Sequence, residues 1–267
     1  MAFYSLNSVS GYIRPHQNIK RYGTDIRNIR QTVPTFVRYL RLLAKHSTAR
    51  KINILAYSAG ATLANEALEI LGEDTSNPDR NAYKESLRIG TVYFAAPDTD
   101  FDDWVTQYRS YQDIVDSVTV TINMKDSVLA MAQEDRRWKA YGGWEYLMES
   151  ETTKSRLGRP DLDDISAVDA EWLLAQTNTP KLDVLIIDSS KIPGIDKGVH
   201  AFWYTSPWVS TDALLDINLH ASPASRGLAE HKTKRGTHIW YFPPDYEQRV
   251  VQAIYELNDE YKRLRAQ

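Results

Sequence analysis

The chain has 267 residues, 42% of them hydrophobic and 25% charged, with a formal net charge of −3 and no cysteine. That composition is ordinary for a soluble globular protein; it excludes disulfides, thiolate catalysis and cysteine-ligated zinc, and leaves no electrostatic footprint for nucleic acid. No apolar run approaches the ~20 residues of a membrane-spanning helix, and the opening Met1-Ala2-Phe3-Tyr4 is not a signal peptide, so a cytoplasmic location is expected.

Phe3–Leu6 reads as a short strand, followed by a loop holding Gly11, Pro15 and Gly23. From about Thr24 to Ala49, Ile26, Ile29, Val33, Phe36, Val37, Leu40, Leu42 and Leu43 recur at helical spacing. Pro34 falls inside this stretch and predicts a kink or a break into two helices. Lys51–Ala56 is a buried-type strand, and Ala59 to Leu71 is a helix. Asn77–Pro78 marks a loop. Leu87–Ala95, Val118–Ile122 and Leu182–Ile187 are further apolar strands, with a helix around Asp102–Tyr111. Alternating strands and helices with continuous apolar strands predict an α/β fold with a mostly parallel sheet covered on both faces.

Residues 127 to 180 read differently, being charged and carrying Trp138, Trp144 and Trp172 without a clear strand. A helical insertion or a lid is expected there. The chain is otherwise rich in Tyr (16) and Trp (7), which reads as core and lid packing rather than a ligand-stacking groove. Asp212 to about Gly236 has little periodicity and predicts a long loop with a short helix. From Pro244 to Gln267, Tyr246, Val250, Val251, Ile254, Leu257 and Tyr261 share one side of an amphipathic helix. With no internal repeat and no linker, residues 1–267 are expected to form one domain.

The chemistry concentrates at Ile52 to Leu63, where a strand meets Ser58 between Ala56 and Gly60 and runs on into a helix. Small residues on both sides of a serine suit the crowded strand-to-helix turn of a nucleophile elbow. A serine hydroxyl becomes a nucleophile when a base takes its proton and an acid orients that base. In the order serine, acid, base, two aspartates qualify: Asp126 after the strand Val118–Ile122, and Asp98 after Ala95–Ala96–Pro97. Either could equally cap a following helix. Asp126 is favoured because it follows the later strand, and Asp98 is the alternative acid.

His16 and His46 precede the serine and break the order. His220 and His231 lie in the polar segment. His200, in Gly198–Val199–His200 beyond the strand Leu182–Ile187, has the strand–loop setting of a base, and His238 is the alternative. No histidine pair has the i, i+4 spacing of a helical zinc site, so no metal or organic cofactor is expected.

Taken together, these segments resemble a largely uncharacterised family of bacterial α/β-hydrolases, esterase- or lipase-like, over roughly residues 1 to 215. Leu55–Ala56–Tyr57–Ser58–Ala59–Gly60 is similar to its elbow, which typically reads Ala-His-Ser-Met-Gly-Asn. Tyr93 to Asp100 is similar to its Ala-Ala-Pro-Asp segment. Val120 to Leu129 is similar to its strand ending in Asp, and Asp188 to Asp212 to its histidine loop. Tyr57 and Ala61 stand where the family has His and Asn.

The resemblance implies a triad of Ser58, Asp126 and His200, an oxyanion contact from the Ala59 N–H, and a small-molecule or lipid ester as substrate. The family also carries further N-terminal strands and a His-Gly pair that donates to the oxyanion. The sequence is therefore expected to lack those strands. A catalytically impaired hydrolase fold acting as a binding or scaffold module is the alternative reading, and ester and amide substrates are not separated.

Overall fold

From Ile52 onward, strands and helices alternate as the apolar runs require. The computed structural model describes residues 15–132, 155–160, 166–196, 198–234 and 236–265, with side chains described between 28 and 256. Its elements in chain order are α1 (Pro15–His46), β1 (Ile52–Tyr57), α2 (Gly60–Gly72), α3 (Arg80–Leu87), β2 (Ile89–Ala95), α4 (Phe101–Tyr111) and β3 (Ser117–Ile122). A helical stretch at residues 127–132 (α5) follows. Then come α6 (Ala167–Thr177), β4 (Leu182–Ile186), α7 (Phe202–Thr205), α8 (Pro207–Leu219), a 3-10 turn (Ala224–Arg226), β5 (Ala229–Lys232), β6 (His238–Tyr241) and α9 (Tyr246–Arg265). Among the described residues no helix is long and apolar enough to cross a membrane.

The six strands form one sheet in the order β1-β2-β3-β4-β6-β5. All neighbours are parallel except β5, which pairs antiparallel with β6 at the edge. β2 is buried along its whole length, as a strand covered on both faces must be. Val92 and Phe94 point into a core built with Val33, Phe36, Leu68, Tyr108 and Leu182. Tyr93 and Ala95 point the other way, against Ala213 and Ile217 of α8. Helices α1, α2, α4 and α6 therefore cover one face, and α8 covers the other.

β1 and β2 are out of step at one place, with a register shift between Ile52 and Ile54. The Asn53 side chain fills the gap: its Oδ1 accepts the Thr91 N–H at 2.9 Å and its Nδ2 donates to the Ile217 carbonyl at 2.6 Å. Gly90 makes room for it, since a Cβ there would lie 2.1 Å from Asn53 Oδ1.

Several sequence expectations need correction. Pro34 does not divide the first helix; α1 runs unbroken from Pro15 to His46. A proline forfeits the bond to the carbonyl four residues back, but Arg30 and Pro34 are both exposed, so water can take that carbonyl. α3 was absent from the sequence reading; Asp79 caps it by accepting the Ala82 N–H. The long loop expected from Asp212 is replaced by α8, the 3-10 turn and β5. The buried side of α8 includes Asp212 and Asp216, so its sequence has no apolar stripe to read.

In α9, among the described side chains, Tyr246, Val250 and Ala253 are buried while Val251 and Ile254 are exposed; the side chains of Leu257 and Tyr261 lie outside the described residues. Within the 127–180 stretch, Trp172 of α6 packs edge-on against Tyr108 and under the Arg109 guanidinium, as part of the flanking layer. Residues 155–158 are buried, and positions 133–154 and 161–165, where most of the expected insertion or lid falls, lie outside the described residues. Phe3–Leu6, Trp138 and Trp144 lie outside the described residues.

Beneath α8, Ala95 and Leu185 share the sheet face with a polar cluster. Arg226 is fully buried among Asp212 (3.0 Å), Asp216 and Asp183 (3.6 Å). The Tyr93 hydroxyl donates to Asp212 at 3.1 Å, and the Thr119 hydroxyl donates to Asp216 at 2.6 Å. Burial pushes the Asp183 carboxyl up to about 7 and that of Asp212 up to about 6, against the pull of Arg226.

A carboxyl with a raised folded pKa binds its proton more tightly in the folded than in the unfolded chain. Its stabilising contribution is full below the unfolded value and lost as pH rises through the folded one. Between about pH 4.5 and 7.5 the thermal midpoint should therefore fall as pH rises, a window above the range where carboxylates of lowered pKa begin to protonate. Asp183→Asn, which cannot ionise, should flatten that slope. A slope left unchanged by the substitution in calorimetric scans would contradict the assignment.

Candidate active site

The site is assembled at the carboxyl ends of β1, β2, β3 and β4. Ser58 follows β1 directly and has φ of 53°, a left-handed conformation that costs a non-glycine residue about 1–2 kcal/mol. The turn is held from several sides. The Ser58 N–H continues the ladder to the Ala95 carbonyl at 3.1 Å. The Ser58 carbonyl accepts the N–H groups of Ala61 (2.9 Å) and Asp98 (3.0 Å). The Thr62 hydroxyl donates to the Asp98 carbonyl at 2.9 Å.

Ala59 and Gly60 begin α2, and no side chain caps that end. Ala61 and Thr62 donate to the Ser58 and Ala59 carbonyls, so the two N–H groups ahead of them have no acceptor within the helix. The positive end of the helix dipole lies beside the serine hydroxyl.

β3 ends in a tight turn in which Asn123 Oδ1 accepts the Lys125 N–H at 3.0 Å and the Asn123 carbonyl accepts the Asp126 N–H at 3.0 Å. Asp126 is fully buried. Its Oδ1 accepts the N–H groups of Val128 and Leu129, both at 3.0 Å, and so caps α5. Its Oδ2 lies 2.8 Å from His200 Nδ1. The other ring nitrogen, Nε2, lies 2.7 Å from Ser58 Oγ. With a carboxylate on one side, the neutral ring carries its proton on Nδ1 and presents Nε2 as an acceptor to the serine hydroxyl. The imidazole side chain is about 10% exposed.

Tyr57 lies against the imidazole with centroids 5.1 Å apart and also contacts Trp203 and Tyr204. Burial, with the neighbouring Tyr204 and Asp126, keeps its hydroxyl protonated well above the usual phenol range.

The structure thus brings together Ser58, Asp126 and His200 and leaves the two alternatives elsewhere. Asp98 is buried in an ion pair with Arg156 at 3.1 Å. His238 pairs with Glu230 across the β5–β6 hairpin. His220 bonds to the Thr91 hydroxyl at 3.0 Å. Among the described residues no three His, Asp or Glu side chains are placed to hold a metal ion.

Sequence reasoning missed residues 155–158, which tie the site together from below. The Phe101 N–H donates to the Ser155 carbonyl at 2.9 Å, the Leu157 N–H to Thr99 at 3.0 Å and the Gly158 N–H to Pro97 at 3.0 Å. The Gly158 carbonyl accepts the Asn123 N–H at 2.9 Å. Gly158 is required by this approach, because a Cβ would lie 2.7 Å from Leu129 Cδ1 and 3.0 Å from the Pro97 nitrogen.

A family model described as an alpha/beta hydrolase of unknown function (DUF900) matches residues 9–167. That span contains Ser58, Ala59, Asp98 and Asp126 and ends before His200. No curated protein and no solved structure matches the chain.

The strain at Ser58 can be measured. Glycine relieves a left-handed backbone that alanine does not, so Ser58→Gly should be more stable than Ser58→Ala by about 1 kcal/mol. Urea unfolding of the two variants checks this; an alanine variant as stable as the glycine one would show that the turn relaxes when the hydroxyl is lost.

Proposed function

The chain belongs to this family of α/β hydrolases of unknown function, and we propose that it is a serine hydrolase cleaving carboxylic esters. The observation that carries the reading is one imidazole, that of His200, within hydrogen-bond reach of both Ser58 Oγ (2.7 Å) and Asp126 Oδ2 (2.8 Å).

In this mechanism Ser58 Oγ attacks the ester carbonyl as His200 Nε2 takes its proton. Asp126 fixes the ring orientation and stabilises the imidazolium. Charge developing on the carbonyl oxygen faces the Ala59 N–H at the start of α2, where a preorganised donor and the helix dipole favour it. Collapse of the tetrahedral species breaks the bond to the alcohol, which leaves with the proton from His200. A water molecule, deprotonated by the same imidazole, then releases the acid from the acyl-enzyme. The elbow, its brace and the depth of the acid support this reading, and a small-molecule or lipid ester fits it as substrate.

Two measurements test it. A fluorophosphonate probe should label the wild-type chain and leave Ser58→Ala unlabelled; a wild type that resists labelling where a control esterase reacts would point to a binding module instead. Asp126→Asn keeps an oxygen for the α5 cap but offers an amide N–H to His200 Nδ1, which forces the wrong tautomer. It should lower kcat by about 10³–10⁴ with a thermal midpoint close to wild type. Full activity in that variant would remove Asp126 from the mechanism.

A further inference from the structure

The loop that delivers His200 leaves β4 at Ile186 and buries Ile192 and Ile195 on its way. Near its end, Gly198 has φ of +80°. The Gly198 carbonyl accepts two hydrogen bonds from one residue: the Ser127 hydroxyl at 2.6 Å and the Ser127 N–H at 3.3 Å. Ser127 directly follows Asp126, the residue that accepts His200 Nδ1. Two consecutive residues at the start of α5 therefore hold positions 198 and 200 of the loop, one by its backbone and one by its ring.

The fit at this contact is close. A Cβ on Gly198 would lie 3.2 Å from Ser127 Oγ and 3.3 Å from Ser127 Cβ. Ser127 is exposed, so it buries little apolar surface, and an exposed hydroxyl bond contributes only about 1 kcal/mol to folding. Its value lies in direction. Asp126 holds the imidazole at Nδ1 and Tyr57 lies against its face, but neither sets the position of the backbone that carries the ring. Fixing the carbonyl two residues earlier sets the side from which the ring approaches, and so where Nε2 points.

We propose that Ser127 is a positioning residue that, through the Gly198 carbonyl, aims His200 Nε2 at Ser58 Oγ. This rests on the serine-hydrolase reading above. An imidazole misplaced by about 1 Å can lose 10²-fold in rate, whereas substrate binding does not depend on its aim.

The test compares wild type, Ser127→Ala and Ser127→Thr on a p-nitrophenyl ester, together with proton NMR of the far-downfield His200 Nδ1–H. Ser127→Ala should lose about 10- to 100-fold in kcat with KM within about twofold. Its Nδ1–H resonance should broaden through solvent exchange, and Ser127→Thr, which keeps the hydroxyl, should recover both. Wild-type kcat in Ser127→Ala would overturn the proposal. So would a loss of activity that only tracks the thermal midpoint while the His200 resonance stays sharp. If the wild type neither labels nor hydrolyses, the enzymatic reading fails separately, and the resonance in Ser127→Ala still decides whether Ser127 holds the ring.

Discussion

The site depends on a single buried carboxylate with two separate duties. Asp126 has no solvent exposure, so both of its oxygens have to find partners inside the protein. One oxygen accepts two backbone N–H groups at the start of α5, and the other accepts His200. A strand-terminal aspartate can act as a helix cap or as an orienting acid, and in the proposed mechanism the two roles reinforce each other. The cap fixes the carboxylate plane through the backbone of α5, and the fixed plane leaves the second oxygen in one place. His200 is then oriented by the fold rather than by its own loop alone.

Both faces of the sheet bury apolar side chains, and one of them adds a polar cluster. Beneath α1, α2, α4 and α6 lies an apolar core in which Trp104 stacks on Tyr108 at 5.1 Å. Beneath α8 lies a polar seam, with Arg226 among three carboxylates and hydroxyls from β2 and β3. Buried ion pairs contribute little net stability, because desolvation offsets the attraction. Breaking one partner is costly, however, and so is placing the charges in a wrong register. The seam therefore serves to fix how α8 sits on the sheet more than how strongly it is held. That matters for the site, because α7 and α8 follow His200 directly and carry Trp203 and Tyr204 against Tyr57.

This division also explains what the sequence made legible. β1 to β4 were readable because each is a short, mostly apolar run rich in β-branched and aromatic residues, and Ser58 because the elbow demands small neighbours. Asp126 and His200 followed from chain order and strand ends. α8 was unreadable because Asp212 and Asp216 occupy its buried side, so the periodicity that marks a helix is carried by charge. Residues 155–158 were unreadable for a related reason: a fully buried Arg156 and a glycine without a neighbour's Cβ look like loop. Pro34 does not break α1, because the cost of a proline depends in part on whether the orphaned carbonyl meets water, which exposure decides and sequence does not.

The elbow shows how these parts are joined. Ser58 and Ala96 both adopt left-handed backbone, at φ of 53° and 44°, and neither is glycine. Together they store a few kcal/mol of strain, which persists only where neighbouring bonds over-determine the conformation. Those bonds run from Asp98 and Thr62 to the elbow, and from the Thr121 hydroxyl, which accepts the Ala96 N–H at 2.8 Å. Arg156 holds Asp98, and Gly158 two residues on accepts from Asn123 in the turn that presents Asp126. The brace of the serine and the support of the acid are thus one continuous piece of backbone. Residues 58, 98, 126, 156 and 200 are joined by one connected set of hydrogen bonds and an ion pair although the chain separates them widely, and strain at the serine is tolerated because relaxing it would disturb the acid turn as well.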